Sequence, residues 1–184
     1  SIGREPDQLD AAAIARAAIE SLAENASDGV VAPVFWGVLL GLPGLVAYKA
    51  INTMDSMIGH RSARYRHYGM VAARLDDLVN LIPARATGQL FVIVSSQPRR
   101  DDAVMLRDAR HHRSPNAGWP EGAMAGALNV RLSGPRVYGA EIADEPWLNA
   151  EGTEADATTL RRALTLYLRA MFVLAVVLAL VALI

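Results

Sequence analysis

The chain contains no cysteine. This absence excludes disulfide scaffolds, thiol nucleophiles, iron–sulfur clusters and cysteine-ligated zinc. Lysine is nearly absent too, because Lys49 is the only lysine among 18 basic residues. Any chemistry must therefore come from carboxylates, four histidines, hydroxyls, amides, arginines and this one lysine.

The chain also lacks a strong net charge. Eighteen basic and 19 acidic residues give a formal net charge of −1, so there is no global basic field of the kind that nucleic-acid binding uses. We expect no nucleic-acid partner. The HExxH, GxxxxGK[ST], GxGxxG and GxSxG patterns are missing, which excludes standard zinc proteases, P-loop enzymes, dinucleotide-binding folds and α/β-hydrolases.

Long apolar runs are what the sequence does contain. Hydrophobic residues make up 52% of the chain and the mean hydropathy is +0.20. The last run, Ala170–Ile184, has no charge or helix breaker, and extended back to 163 it reaches the roughly 20 residues that cross a bilayer as a helix. Arginines at its N-terminal end place that end in the cytoplasm. We predict a transmembrane helix over 163–184, with a buried core helix as the alternative.

Two further apolar runs are interrupted. Gly29–Tyr48 contains two prolines and several glycines, and Leu78–Val94 contains Pro83 and Arg85. A single crossing by the first run would separate the polar residues on its two sides by about 30 Å. Proline removes backbone hydrogen bonds and glycine weakens helix interiors. We therefore predict that both runs are broken or re-entrant, which would also bring those polar residues to one site. The expected fold class is a mainly α, polytopic integral membrane protein.

The segment before these runs predicts a helix over Ala11–Asn25, with Asp10 as its N-cap and a stop at Ala26–Gly29. Glu24 and Asp28 lie four residues apart, so a continuing helix would place both carboxylates on one face.

Glu20 lies on the same face, four residues after Arg16. A solvated helix face, with Glu20 paired to Arg16, is the structural interpretation of this pattern.

Polar residues follow the run Gly29–Tyr48 and precede the run Leu78–Val94. Lys49, Asn52 and Asp55 come after Tyr48, and Lys49 is either a phosphate ligand or an interfacial anchor. Asp76 and Asp77 precede Leu78. Arg74 and Arg85 flank that acidic pair.

A turn-forming stretch, Ser114-Pro115-Asn116-Ala117-Gly118, follows His111 and His112. Asn and Gly tolerate left-handed backbone and expose N–H groups, which suits an anion cradle. Neighbouring histidines in an arginine-rich segment are more typical of a solvated surface than of a metal site.

Four phrases occur in order: ESLAENASDGVVAPVFWG, GLPGLVAYKAINTMDSMIGHR, YGMVAARLDDLVNLIPAR and HRSPNAGWPEGAMAGAL. Together they resemble the CobD/CbiB family, the membrane-embedded adenosylcobinamide-phosphate synthases of late cobalamin biosynthesis. The resemblance covers roughly residues 1–140 and continues less specifically to the last helix. Family members are usually longer, with further transmembrane helices before the point where this chain begins. The chain is thus expected to be a single CobD/CbiB-like membrane domain over 1–184, the C-terminal two-thirds of such a protein.

The resemblance implies condensation of adenosylcobyric acid with an aminoalkanol phosphate to give adenosylcobinamide phosphate. Amide formation in water is uphill, so ATP with Mg²⁺ is the implied co-substrate and cofactor. The residues that match the family motifs are then assigned roles. The catalytic candidates are Glu24, Asp28, Lys49, Asp55, Asp76 and Asp77; the substrate- or phosphate-binding candidates are Asn52, Arg74, Arg85, Ser114 and Asn116; the Mg²⁺ candidates are Asp28, Asp55 and Asp76.

The resemblance also implies a bacterial inner-membrane location, with several spans and the active site facing the cytoplasm. The expected partners are the corrinoid, the aminoalkanol phosphate and the lipid bilayer, with a homo-oligomer or membrane proteins of the cobalamin pathway as further candidates. Two other classes stay open: a non-catalytic AmpE-like signalling relative and a transporter, for which a broken apolar segment is also a signature.

Overall fold

The computed structural model describes residues 11–58, 66–138, 141–143 and 145–183, and these are mainly helical. A π-helical turn, Ser27–Val31, joins the first two helices, and a short 3₁₀ turn, Ala109–His111, follows the fourth. The helices are α1 (Ala11–Ala26), α2 (Ala32–Ile58), α3 (Arg66–Ile93), α4 (Pro98–Asp108), α5 (Gly118–Leu128) and α6 (Ala157–Val181).

Four short strands connect α5 to α6. They form two antiparallel pairs, one between β1 (Leu132–Ser133) and β4 (Trp147–Leu148), the other between β2 (Arg136–Tyr138) and β3 (Glu141–Ala143).

The predicted stop at Ala26–Gly29 is wrong. α1 forms as expected, although the proposed cap Asp10 lies outside the described residues, but the chain then continues through the π-helical turn directly into α2. Such turns accommodate one extra residue per turn and are frequent at functional sites.

α2 reverses its direction at Gly41. The backbone there has φ 67° and ψ −158°, a region that essentially only glycine occupies, and Pro43 follows in the returning arm. Tyr48 consequently comes back to Asp28, with its Oη 3.1 Å from the Asp28 carbonyl oxygen. Twenty residues of straight helix would span about 30 Å instead. α2 is thus a helical hairpin, and the predicted break within Gly29–Tyr48 is confirmed.

The second predicted break is wrong, because Leu78–Val94 lies mostly within α3, which is continuous through Pro83. A proline cannot donate to the carbonyl four residues before it. Here the carbonyl of Val79 instead accepts the indole N–H of Trp36 at 3.0 Å. This bond compensates for the missing helical one and attaches the outgoing arm of the hairpin to α3.

α5 lies at the centre of the molecule. Most of its side chains are buried, and α1, α3, α4 and α6 pack around it. Small residues permit this, since a Cβ added at Gly126 would lie 3.1 Å from the Cα of Asp101 on α4. The core around it includes Ile19, Phe91, Met105, Met124, Leu132 and Leu148.

α6 begins earlier than predicted, at Ala157, because Asp156 caps it: Asp156 accepts from Thr159 N at 2.7 Å, while Asp156 N donates to Thr159 Oγ1 at 2.6 Å. Ile184 lies outside the described residues. One stripe of α6 packs on the core, and most of its other apolar side chains are exposed, Phe172 at 71%. This exposure contradicts the alternative of a buried core helix.

By length and composition, two segments of the described chain could cross a membrane, Ala11–Met57 and Ala157–Val181. The first contains the reversal at Gly41, so it is not one straight span. Its tip is strongly apolar and exposed, with Leu42 at 72%.

Candidate active site

A cavity of about 390 Å³ lies where α1, the π-helical turn, the end of α2, the middle of α3 and the loop before α5 meet. Five carboxylates and one guanidinium line it. The lining residues are Glu24, Ser27, Asp28, Asp55, Ala73, Asp76, Asp77, Asn80, Arg113, Ser114, Pro115, Asn116, Ala117 and Pro120. Residues from both sides of the first apolar run therefore share one site, as the hairpin requires.

The hairpin is fixed to the site through Tyr48, which is 2% exposed. Its hydroxyl has two acceptors, the Asp28 carbonyl at 3.1 Å and Asn80 Oδ1 at 3.0 Å, which share its single proton. The returning arm of α2 is thereby tied to both the π-helical turn and α3.

Asp76 is held by two amides. Asn80 Nδ2 donates to its Oδ2 at 3.0 Å, and Asn52 Nδ2 donates to its Oδ1 at 3.3 Å. Burial raises the pKa of Asp76, the two amide bonds oppose that rise, and the charge of Asp55 adds to it. The result is a carboxylate whose orientation is fixed by two neutral donors.

Asp77 faces the same cavity. Burial raises its pKa, and the neighbouring charge of Asp76 raises it further. Its backbone carbonyl accepts Asn116 Nδ2 at 2.8 Å, which attaches the loop before α5 to α3. Asp28 and Asp76 are also near enough to repel each other.

The loop uses its own N–H groups. Asn116 N and Ala117 N both donate to Ser114 Oγ at 3.2 Å, and Ser114 N donates to His112 Nδ1 at 3.1 Å. The predicted anion cradle of free backbone N–H groups is therefore wrong for these three donors. The hydroxyl of Ser114 satisfies the turn internally, in the way Ser commonly does in loops.

His112 is partly buried behind this loop. Because its Nδ1 accepts from Ser114, the proton of the neutral ring lies on Nε2, which is 3.8 Å from Glu121 Oε2. The expectation of a solvated surface holds for His111, which is exposed, and is wrong for His112.

Four of the predicted site residues do not line the cavity: Lys49, Asn52, Arg74 and Arg85. Asn52 bonds to a lining residue, Asp76. Lys49 is exposed and reaches the cavity only indirectly, with its Nζ 3.5 Å from Asn52 Oδ1. Arg74 is exposed. The guanidinium of Arg85 stacks on Trp119, 4.4 Å from the ring centroid, and Trp119 in turn donates to the Pro115 carbonyl at 3.1 Å.

Glu20 is not the solvated residue that its spacing suggested. It is 6% exposed, and its Oε1 accepts Ser133 N at 2.7 Å. Glu20 therefore joins α1 to β1 and does not line the cavity. Local spacing could not predict this, because its hydrogen-bond partner is a backbone N–H far along the chain.

Three polar residues of the cavity have no role in the sequence-based prediction: Ser27, Asn80 and Arg113. The signal for Asn80 was present, since it follows Asp76 by four residues and shares its helix face. Arg113 was visible beside the turn-forming stretch. Nothing in the local pattern around Ser27 distinguishes it from a helix-stop residue.

Mg²⁺ was assigned to Asp28, Asp55 and Asp76. In the described part of the chain, no three His, Asp or Glu side chains are grouped as a metal site would require. Mg²⁺ usually takes one or two carboxylates together with phosphate oxygens and waters. The clustered, mutually repelling carboxylates fit that partial donor set, and they do not form a closed protein site.

Comparison with known proteins agrees with the motifs. The model of the CobD/Cbib protein family matches residues 1–167. The chain is 61% identical over 181 residues to the cobalamin biosynthesis protein CobD of Rhodobacter capsulatus, covering 98% of this chain and 58% of that protein. It is 58% identical over 173 residues to the protein of the same name from Brucella suis biovar 1, covering 90% and 53%.

The chain thus spans little more than half the length of these relatives. No solved structure matches it. The family match over most of the chain and the identity to these relatives lead to one conclusion: the chain belongs to the CobD/CbiB family of cobalamin biosynthesis proteins.

Proposed function

We propose that this chain carries the active site of an amide-forming ligase that joins adenosylcobyric acid to an aminoalkanol phosphate and yields adenosylcobinamide phosphate. The observation that carries the proposal is the convergence of five carboxylates, from three separate helical segments and the turn between two of them, on one cavity. A volume of about 390 Å³ suits the reacting ends of the substrates, with the bulk of a corrinoid outside.

The chemistry needs an activated carboxylate. In the simplest route, a carboxylate oxygen of the corrinoid acid attacks the γ-phosphorus of ATP and ADP leaves; the amine then attacks the acyl carbon and phosphate leaves. Mg²⁺, when bound, would neutralise the triphosphate, with Asp28, Asp55 and Asp76 as the protein oxygens available to it.

The chain's own residues bind, orient and accept a proton. Asn52 and Asn80 hold Asp76 in one orientation. The attacking nitrogen must lose a proton, and one of the clustered carboxylates is the acceptor in this proposal. Glu24 and Asp77 also line the cavity.

The apolar surfaces support a membrane location. We propose that the exposed tip of the hairpin and the outer face of α6 contact lipid in a bacterial inner membrane, with the cavity facing the cytoplasm. Accessibility labelling of single cysteines introduced at the exposed positions 25 and 53 tests this: both should react from the cytoplasmic side, and reaction from opposite faces would contradict it.

Turnover tests the function directly. The full-length protein is incubated with the corrinoid acid, either (R)-1-amino-2-propanol O-phosphate or ethanolamine phosphate, and Mg·ATP, and product is quantified. Asp28→Asn, Asp55→Asn and Asp76→Asn should each lower turnover by orders of magnitude while corrinoid binding persists. Binding without any turnover in the wild type would favour the AmpE-like or transporter alternatives.

A further inference from the structure

The lining of the cavity is unbalanced in charge. Its five carboxylates face one cation, Arg113, whose side chain is 78% exposed and lies 3.8 Å from Glu145 Oε1. Without a bound metal ion, a site of this composition repels a phosphate or carboxylate and attracts a cation. Its electrostatics therefore select the positively charged part of a substrate.

Asn116 provides an independent observation. Its orientation is fixed, because the Asp77 carbonyl can only accept and so must face the Nδ2 donor, at 2.8 Å. The other amide atom, Oδ1, is buried and has no hydrogen-bond partner, in a residue that is 6% exposed and lines the cavity. A buried acceptor without a partner is costly, and a ligand that donates a hydrogen bond removes that cost.

The neighbouring loop donors do not compete for this role. The N–H groups of Ser114, Asn116 and Ala117 are all bonded within the loop. From these three residues, therefore, the cavity is offered an acceptor and no free backbone donor. A phosphate needs donors, whereas a primary ammonium carries three donors and a positive charge.

We propose that this cavity is the subsite for the primary ammonium of the amino substrate, with Asn116 Oδ1 accepting one of its N–H groups and the carboxylates balancing its charge. The phosphate of the same molecule then lies at the mouth, beside Arg113. This assignment rests on the proposed ligase function. It makes Asn116 the residue that distinguishes an amine from an isosteric group without donors.

The test compares two ligands on the full-length protein by calorimetry: ethanolamine phosphate and ethyl phosphate, which lacks the amine. The wild type should bind ethanolamine phosphate at least about tenfold more tightly, the effect of a charge-assisted hydrogen bond. Asn116→Ala should lose most of this preference and leave the affinity for ethyl phosphate unchanged. Arg113→Gln should weaken both ligands alike.

Asn25→Ala is the matched control, because Asn25 is exposed and its amide bonds only to the Ser21 carbonyl, within α1. It should retain the full preference. The wild-type comparison needs no variant, so the inference stays testable if Asn116→Ala fails to fold. Equal wild-type affinity for the two ligands, a preference that survives Asn116→Ala, or one that exists only with added Mg²⁺ would overturn it.

The outcomes also separate the two proposals. Selective amine binding without turnover supports the ammonium subsite and contradicts the ligase. Turnover without any preference for the amine supports the ligase and contradicts the subsite.

Discussion

The tight turn of the α2 hairpin makes one substitution diagnostic. A Cβ added at Gly44 would lie 2.5 Å from the carbonyl oxygen of Trp36 and 2.6 Å from the Cβ of Leu40. A carbon and a carbonyl oxygen ordinarily stay about 3.3 Å apart, so Gly44→Ala must push the two arms about 0.8 Å apart. Rigid backbone, and not a flexible side chain, is the first obstacle.

Overpacking of this kind costs about 1–3 kcal/mol. For a chain of this size each kcal/mol lowers the melting temperature by roughly 2–4 °C. We therefore expect Gly44→Ala to melt about 2–12 °C below the wild type in a thermal unfolding assay of the detergent-solubilised protein. Turnover should also fall, because Tyr48, one turn further along, would move away from the Asp28 carbonyl.

Gly29→Ala is the matched control. A Cβ at Gly29 meets nothing within 4 Å, and replacing glycine by alanine within a helix usually stabilises by up to about 1 kcal/mol. The control should melt at or slightly above the wild-type temperature. If both variants melt together, the two arms do not pack as described and the hairpin is wrong.

Three further outcomes are expected. Glu20→Ala should lower the melting temperature, because Ser133 N loses its buried acceptor, at a cost of about 1–3 kcal/mol; Glu24→Ala, in the same thermal assay, should cost less. Lys49→Arg should lower kcat/KM at least about tenfold if a compact ammonium is needed, and wild-type kinetics would make Lys49 an interfacial anchor. Burial would raise the pKa of Asp108, but bonds from Arg107 and Asn149 hold it below its ordinary value. The ionised carboxylate therefore stabilises the fold above its ordinary pKa, and this stabilisation is lost as the pH falls through the lowered pKa of the folded state. The difference in melting temperature between the wild type and Asp108→Asn should therefore disappear on acidification.

The hairpin was predictable from the sequence because its requirements are local. Gly41 and Pro43 interrupt an apolar run, and the family resemblance independently requires the polar residues on both sides of that run to meet in one site. The continuity of α3 was not predictable in the same way. Pro83 leaves the carbonyl of Val79 without its helical donor, and the donor that replaces it, Trp36, lies 43 residues earlier in the chain.

The candidate site shows the same difference between local spacing, which the sequence reveals, and long-range contacts, which it does not. Helical spacing correctly brings Glu24 and Asp28 to one place, because neighbouring turns fix which side chains share a face. Asp76, on α3, was assigned to that place only by the family resemblance. Spacing could not show that Glu20, on the same face, turns away from the cavity and bonds to Ser133, 113 residues later. Long-range partners therefore decide which members of a polar face are available to a ligand.

The loop before α5 shows why turn composition alone is not enough to predict an anion-binding site. Ser, Asn and Gly in a turn indicate exposed N–H groups, and exposed N–H groups indicate an anion. In the structure, Ser114 Oγ accepts two of those donors and His112 accepts a third. Asn116 lines the cavity, its Nδ2 donates to the Asp77 carbonyl, and its Oδ1 is buried without a hydrogen-bond partner. The same residues that predicted a phosphate cradle thus present an acceptor, and an acceptor among carboxylates favours a cationic donor.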